Sequence, residues 1–259
     1  MKFSLAIPAR YASTRLPGKM LADLCGKPVL QHVWEEAADI VGLEEVVVLT
    51  EAEIVRQAVE SWGGTCWLTA NSCVSGTERI GSVIDRFCGD YVFNVQGDEP
   101  FLDRKLIGRM IQRARQMEDF DVLTPVFPIC EESLLHNPNV VKVVCDHRER
   151  ALYFSRCPIP YLRDCEKDRW AEQKLHRGHV GIYLYRKDLL KKLPEIPESP
   201  LARAESLEQL RFLQAGYIIQ TIATSHFSPA IDVPDDLRVA EEFFLKQQKI
   251  TRGGSDHAS

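Results

Sequence analysis

Arg10, Arg15 and Lys19 stand within IPARYASTRLPGK (residues 7–19), directly after the short apolar run FSLAI. The small residues of this stretch, Ala9, Ala12, Ser13 and Gly18, let backbone amides approach an anion while the three cations neutralise it. Neither G-x-G-x-x-G nor G-x-x-x-x-G-K-[ST] occurs here, so the standard dinucleotide and Walker loops are excluded. A triphosphate is the guest this pattern suits. The plainer reading, a basic loop that only solvates a surface, is weakened by its place after a first strand and by Pro8 and Pro17, which stiffen it. A second stretch, NVQGDEP (94–100), puts Asp98 just past the apolar run DYVFNV. The carboxyl end of a strand is where open α/β sheets bind ligands, and a turn or cap is the structural alternative. Glu99 beside it is a weaker candidate because neighbours in an extended segment point apart.

These side chains need elements to place them. FSLAI and EEVVVLT read as buried strands, and TCWLT as a short one. PVLQHVWEEAADI reads as a helix with Val29, Leu30, Val33, Trp34, Ala37 and Ala38 inward, and EIVRQAVESWGG as one with Ile54, Val55, Ala58, Val59 and Trp62 inward. Strand alternating with helix predicts a parallel sheet covered on both faces, whose strand carboxyl ends are where such sheets bind ligands. In SGTER (75–79) Ser75 and Glu78 have capping-box spacing, so a helix should start near Thr77; capping accounts for both residues without a ligand but leaves Arg79 unexplained. Beyond residue 120, DVLTPVFPI, VVKVVCD, RALYFSR and HVGIYLYR read as strands, the middle two as a hairpin with a charged turn. SPLARAESLEQLRFLQAG and PDDLRVAEEFFLKQQ read as helices.

Composition bounds the rest. The chain has 259 residues, 45% hydrophobic and 27% charged, which suits a packed globular protein. A net charge of -5, with no basic stripe or interleaved aromatics, argues against nucleic acid as a partner. Eight cysteines without a CxxC pair read as idle or buried thiols of a reducing compartment. His176 and His179 in HRGH lack the further ligands a zinc site needs. Only five residues separate Lys2 from Pro8, too few for a signal-peptide core, and no later run approaches a membrane span, so the expectation is a cytoplasmic chain. Residues 1–250 are expected to form a single domain and 251–259 a disordered tail.

IPARYASTRLPGK, SGTER, NVQGDEP, ALYFSR, GIY, LEQLR and IDVPDDL occur in an order and spacing that resemble the 3-deoxy-manno-octulosonate (Kdo) cytidylyltransferases, the CMP-Kdo synthetases, from about residue 3 to about residue 245. The resemblance implies a three-layer α/β fold with a mostly parallel central sheet, Rossmann-like and of the nucleotide-diphospho-sugar transferase kind. It implies a CTP-binding half to about residue 120, then a sugar-binding and dimerisation half to about 250. The implied reaction is transfer of CMP from CTP to Kdo for the lipopolysaccharide inner core, by a homodimer in a Gram-negative cytoplasm.

Nucleotidyl transfer asks a protein to position a hydroxyl in line with the α-phosphorus and to absorb negative charge. By the resemblance, Arg10, Ser13, Arg15 and Lys19 take the triphosphate, and Ser75, Arg79 and Gln96 the nucleoside side. Asp98 and Asp232 hold Mg2+, an N-cap role being the rival for Asp232. Arg156 in YFSR matches a sugar-binding arginine, and a planar fork suits a carboxylate. His179, Tyr183, Glu208 and Gln209 complete the sugar site, His179 having a structural role as its alternative. Three features depart from the family pattern: Glu51 where many members have aspartate, Gly178 where arginine is frequent, and the wording of SPLARAESLEQL. They keep an 8-amino Kdo analogue or another acidic sugar open as the acceptor. A nucleotide-binding sensor without turnover is the rival from another class, and joint retention of Arg10, Lys19, Asp98 and Asp232 argues against it.

Overall fold

The computed structural model describes residues 1–12, 16–117, 119–225, 231 and 233–253, with side chains to residue 246. Ser13, Arg15 and Asp232 lie outside the described residues, as does the tail from 254. In the first half, β1 (Phe3–Pro8) leads through a ribbon of β2 (Asp23–Leu24) and β3 (Lys27–Pro28) to α1 (Val29–Ala38), β4 (Glu45–Thr50), α2 (Glu53–Ser61), β5 (Thr65–Leu68), α3 (Gly76–Gly81) and β6 (Tyr91–Asn94). There follow α4 (Arg104–Arg115), β7 (Val122–Pro128), α5 (Glu132–His136), β8 (Lys142–Cys145), β9 (Ala151–Ser155), β10 (Arg177–His179), β11 (Tyr183–Arg186) and α6 (Lys187–Lys191). Last come α7 (Pro200–Glu205), α8 (Gln209–Gln214), β12 (Ile219–Ala223) and α9 (Pro234–Gly253).

One sheet runs through both halves in the order β5-β4-β1-β6-β11-β7-β10-β8-β9, with β12 paired to β7. β5, β4, β1 and β6 are mutually parallel, as the strand–helix alternation requires, and β11 reverses the direction beside β6. All six residues of β1 are buried because both faces are covered. Phe3, Leu5 and Ile7 enter one apolar cluster and Ala6 the other, following the two-residue period of a strand. Ala38 and Ile54, expected inward, are exposed. At about 100° per residue, Ala38 lies about 140° around from the buried Val33, and Ile54 about 100° from the buried Val55. His32 is buried on α1 instead and meets the Leu24 carbonyl through Nε2 at 2.7 Å.

HVGIYLYR forms two strands rather than one. β10 and β11 both run along β7, and the break between them faces Pro125, which has no N–H to give to the ladder but accepts from Val180 N at 3.0 Å. Thr124 fills the break, its hydroxyl lying 3.3 Å from the Val180 carbonyl and 2.8 Å from that of Ile182. Likewise SPLARAESLEQLRFLQAG splits into α7 and α8 at Ser206, which adopts φ 53. The hairpin of β8 and β9 is present, and Asp146 Oδ1 closes its turn by accepting from Arg148 N and Arg150 N, both at 2.8 Å. β12, between α8 and α9, is an element the sequence analysis does not anticipate. Among the described residues no helix is long and apolar enough to cross a membrane.

Gly178 also has a packing reason. It sits opposite Phe127, and a Cβ there would lie 2.3 Å from the phenyl ring. Gly178→Ala should therefore destabilise the fold by about 1–3 kcal/mol. Urea denaturation checks this, and a change below about 0.5 kcal/mol would show that Phe127 moves aside freely.

Candidate active site

β1 and β6 are neighbours, so their carboxyl ends bring residues after Pro8 and after Asn94 to one edge of the sheet. Gly97 fits closely there: a Cβ would come within 3.1 Å of both the Pro8 carbonyl oxygen and Met20 Sδ. Next to it, Asp98 Oδ2 accepts a short, charge-assisted hydrogen bond from Lys19 Nζ. Lys19 is buried in a single 3-10 turn after Gly18, whose φ of 70 suits glycine. Its ammonium also donates to the Ile231 carbonyl at 3.2 Å, and Ile231 N donates to the Asp98 carbonyl at 2.9 Å. The first loop, the end of β6 and the chain entering α9 thus meet at one point. Arg10 is exposed beside them and makes no hydrogen bond or ion pair among the described residues. The donor set suits Mg2+, a hard cation that takes one or two protein carboxylates and leaves its other positions to phosphate and water. Asp98 is the described carboxylate that could hold it.

Glu99 follows Asp98 out of a turn, its N–H donating to the Gln96 carbonyl at 3.3 Å. Burial, with the Asp98 charge second, pushes its carboxyl up to about 8. Gln96 is half-buried and donates to Asn94 Oδ1 at 3.2 Å. The buried Tyr185 hydroxyl lies 3.3 Å from Thr77 Oγ1. Burial raises the pKa of the Glu208 carboxyl, and the Thr77 and Ser75 hydroxyls work against that rise. Ser75 also caps α3, its hydroxyl accepting from Glu78 N at 3.1 Å. Residues expected on the nucleoside side and the sugar side are therefore joined through α3 and the start of α8. A cavity of about 520 Å³ opens beside them, its wall including Ser75, Thr77, Glu78, Leu207, Glu208 and Arg211.

On the sugar side the Tyr183 hydroxyl donates to Gln209 Oε1 at 3.2 Å, and its ring lies 5.2 Å from that of His179. Gln209 is 3% exposed, and its Nε2 is buried without a hydrogen-bond partner among the described residues. An amide left in that condition is expensive unless a ligand oxygen completes it. His179 Nε2 lies 2.8 Å from Thr124 Oγ1. The hydroxyl's single hydrogen goes to a carbonyl, so His179 Nε2–H donates to it and Nδ1 keeps the free lone pair. Burial lowers the imidazole pKa to about 3, which makes His179 a neutral acceptor rather than a cation.

Two side chains expected at the site are also engaged within the protein. Arg156 commits three of its five N–H groups: Nε donates to the Glu205 carbonyl at 2.6 Å, Nη1 to that of Pro138 at 2.9 Å and Nη2 to that of Ser206 at 3.2 Å. Its fork closes the carbonyl end of α7 and so fixes the segment leading to Glu208. Arg79 is likewise engaged, 2% exposed, with Nη2 2.9 Å from Glu51 Oε2 and Nη1 donating to Thr69 Oγ1. The sequence reading missed Thr77, Asn94, Thr124 and Tyr185 as supports of the site. Thr77 was in view within SGTER; the other three lie inside apolar runs, where only strand pairing reveals their partners.

An α/β sheet whose parallel strands β1 and β6 carry a lysine–aspartate pair beyond their carboxyl ends suits a nucleotidyltransferase. The cytidylyltransferase family model matches residues 5–222. The 3-deoxy-manno-octulosonate cytidylyltransferase of Escherichia coli is 42% identical over 236 residues, spanning 90% of this chain and 92% of that protein. The 8-amino-3,8-dideoxy-manno-octulosonate cytidylyltransferase of Shewanella pealeana is 39% identical, spanning 93% and 98%. The solved structure of CMP:2-keto-3-deoxy-manno-octonic acid synthetase complexed with CTP superposes with a TM-score of 0.89 at 40% identity, covering 95% of this chain and all of that one. The chain belongs to the 3-deoxy-manno-octulosonate cytidylyltransferase family.

Proposed function

We propose that this chain transfers CMP from CTP to the anomeric hydroxyl of Kdo, releasing pyrophosphate and supplying activated sugar for the lipopolysaccharide inner core, as a homodimer in the cytoplasm. The observation that carries the acceptor is the orphaned Gln209 amide beside Tyr183 and His179, a set of donor and acceptor groups that a polyhydroxylated sugar completes. Support for the donor is the pair of Lys19 and Asp98 at the strand ends, with Arg10 exposed next to them. The sugar oxygen attacks the α-phosphorus, and the bond from that phosphorus to the pyrophosphate oxygen breaks. Lys19 and Arg10 offset the charge on the departing pyrophosphate, while Gln209, Tyr183 and His179 hold the acceptor's hydroxyls. Asp98, with Asp232, would hold Mg2+, which when bound neutralises triphosphate charge. The dimer is supported by β9, which ends the sheet with one edge open and Leu152 60% exposed.

Pyrophosphate release from CTP and Mg2+ should occur with Kdo and not with sialic acid or without sugar. Preference for the 8-amino analogue would reassign the acceptor, and no release from folded protein that binds CTP would refute catalysis. In the same assay Gln209→Leu should raise the KM for Kdo by about 5- to 100-fold and leave that for CTP within about twofold. Equal effects on the two would detach Gln209 from the sugar.

A further inference from the structure

Glu51 follows β4, the strand beside β1, and its carboxylate stands where three segments converge. Its Oε1 accepts from Tyr11 N at 2.8 Å and from Ala12 N at 3.4 Å, in the loop that leaves β1. Its Oε2 lies 2.9 Å from Arg79 Nη2 of α3, an ion pair without the alignment of a hydrogen bond. Both side chains are enclosed, Arg79 3% and Glu51 12% exposed. Arg79 reaches on to Thr69, whose hydroxyl donates to the Thr50 carbonyl at 3.1 Å, so the far end of the pair is tied back to β4.

Two consequences follow. The amides of Tyr11 and Ala12 are occupied by Glu51, so they are not the backbone donors that a phosphate would use. The Arg79 charge is neutralised inside the protein, so this arginine is a strut and not a phosphate ligand.

We infer that Glu51 is a positioning residue for the nucleotide half of the site: with Arg79 it fixes the loop that carries Arg10 against α3, which carries Ser75 and Thr77. The inference rests on the proposed cytidylyl transfer for its kinetic readout, but its binding readout needs CTP alone. A side chain that only stabilised the fold would leave the kinetic constants of the folded enzyme unchanged. A positioning residue must move the CTP parameters and spare those of the sugar.

The test compares Glu51→Ala, Arg79→Ala and the double variant in steady-state pyrophosphate release, with thermal melts to establish folding. Each single variant should lower kcat/KM for CTP by about tenfold or more, with the KM for Kdo within about twofold. Because the two side chains act as one unit, the double variant should be no worse than the poorer single variant. Unchanged CTP constants in a folded Glu51→Ala protein would overturn the inference. So would additive losses, which would mean that Arg79 meets the nucleotide on its own account. Should the alanine variants not fold, Glu51→Gln decides: it keeps an acceptor for Tyr11 and Ala12 but presents Arg79 with no charge. Calorimetric titration of that variant with CTP and Mg2+ should show a dissociation constant raised about fivefold or more, and an unchanged constant would overturn the proposal. Wild-type protein that binds CTP but turns over no sugar would refute the proposed reaction and leave this binding comparison readable.

Discussion

Asp98→Asn should lower pyrophosphate release by about 100- to 1,000-fold at saturating CTP and Kdo. The substitution keeps the shape of the side chain at the end of β6 and removes its charge. Two losses then coincide. The carboxylate proposed to hold Mg2+ is gone, and Lys19, 11% exposed at its side chain, loses the charge of Asp98. Removing one preorganised electrostatic contact of this kind typically costs about 2.7–4 kcal/mol of transition-state stabilisation. Weakening a buried ion pair can also cost stability, so a thermal melt must accompany the assay. Turnover within about tenfold of wild type in folded protein would remove Asp98 from the mechanism.

Lys19→Met should be nearly as damaging, with a different signature. Methionine fills much of the same space without the ammonium, so charge compensation for the triphosphate is lost while Asp98 remains. The KM for CTP should rise and kcat should fall, giving a loss in kcat/KM of about 100-fold or more. Freed from its ammonium partner, Asp98 becomes a better site for a bare cation. Calorimetric titration with Mg2+ alone should therefore show tighter binding than wild type. Weaker cation binding would mean that Lys19 holds the carboxylate in a geometry the metal needs, and that the two do not compete.

Much of this arrangement was legible in the chain because it rests on local rules. The apolar runs marked β1, β4 and β6, and the sharp step from DYVFNV to QGDEP put Asp98 at a strand end, where the structure has it. Ser75 and Glu78 had the spacing of a cap, and Ser75 is one. What could not be read is pairing over long distances in sequence. Nothing in YFSR reveals that Arg156 also donates to the carbonyls of Pro138, Glu205 and Ser206. Arg79 looked free because Glu51, which neutralises it, belongs to another strand's end. The unread break in HVGIYLYR has a visible cause, but one that lies in another segment: Pro125, in the middle of β7. The family resemblance carried the sugar residues, and the geometry adds which atoms of Gln209 and His179 are available.

The reversed strand β11 has a further consequence, for the order in which this protein can assemble. β6 and β7 are not paired with each other; β11 lies between them, and it follows both, and β8 to β10, in the chain. During translation the parallel strands β5, β4, β1 and β6 emerge first and leave the backbone groups of β6 without their second ladder. They stay open until Tyr183–Arg186 leave the ribosome, a non-local closure that slows folding and exposes an adhesive edge in the interim. A nascent chain stalled before β11 is thus the species most in need of a chaperone, and the first half of the sheet is completed by a strand of the second.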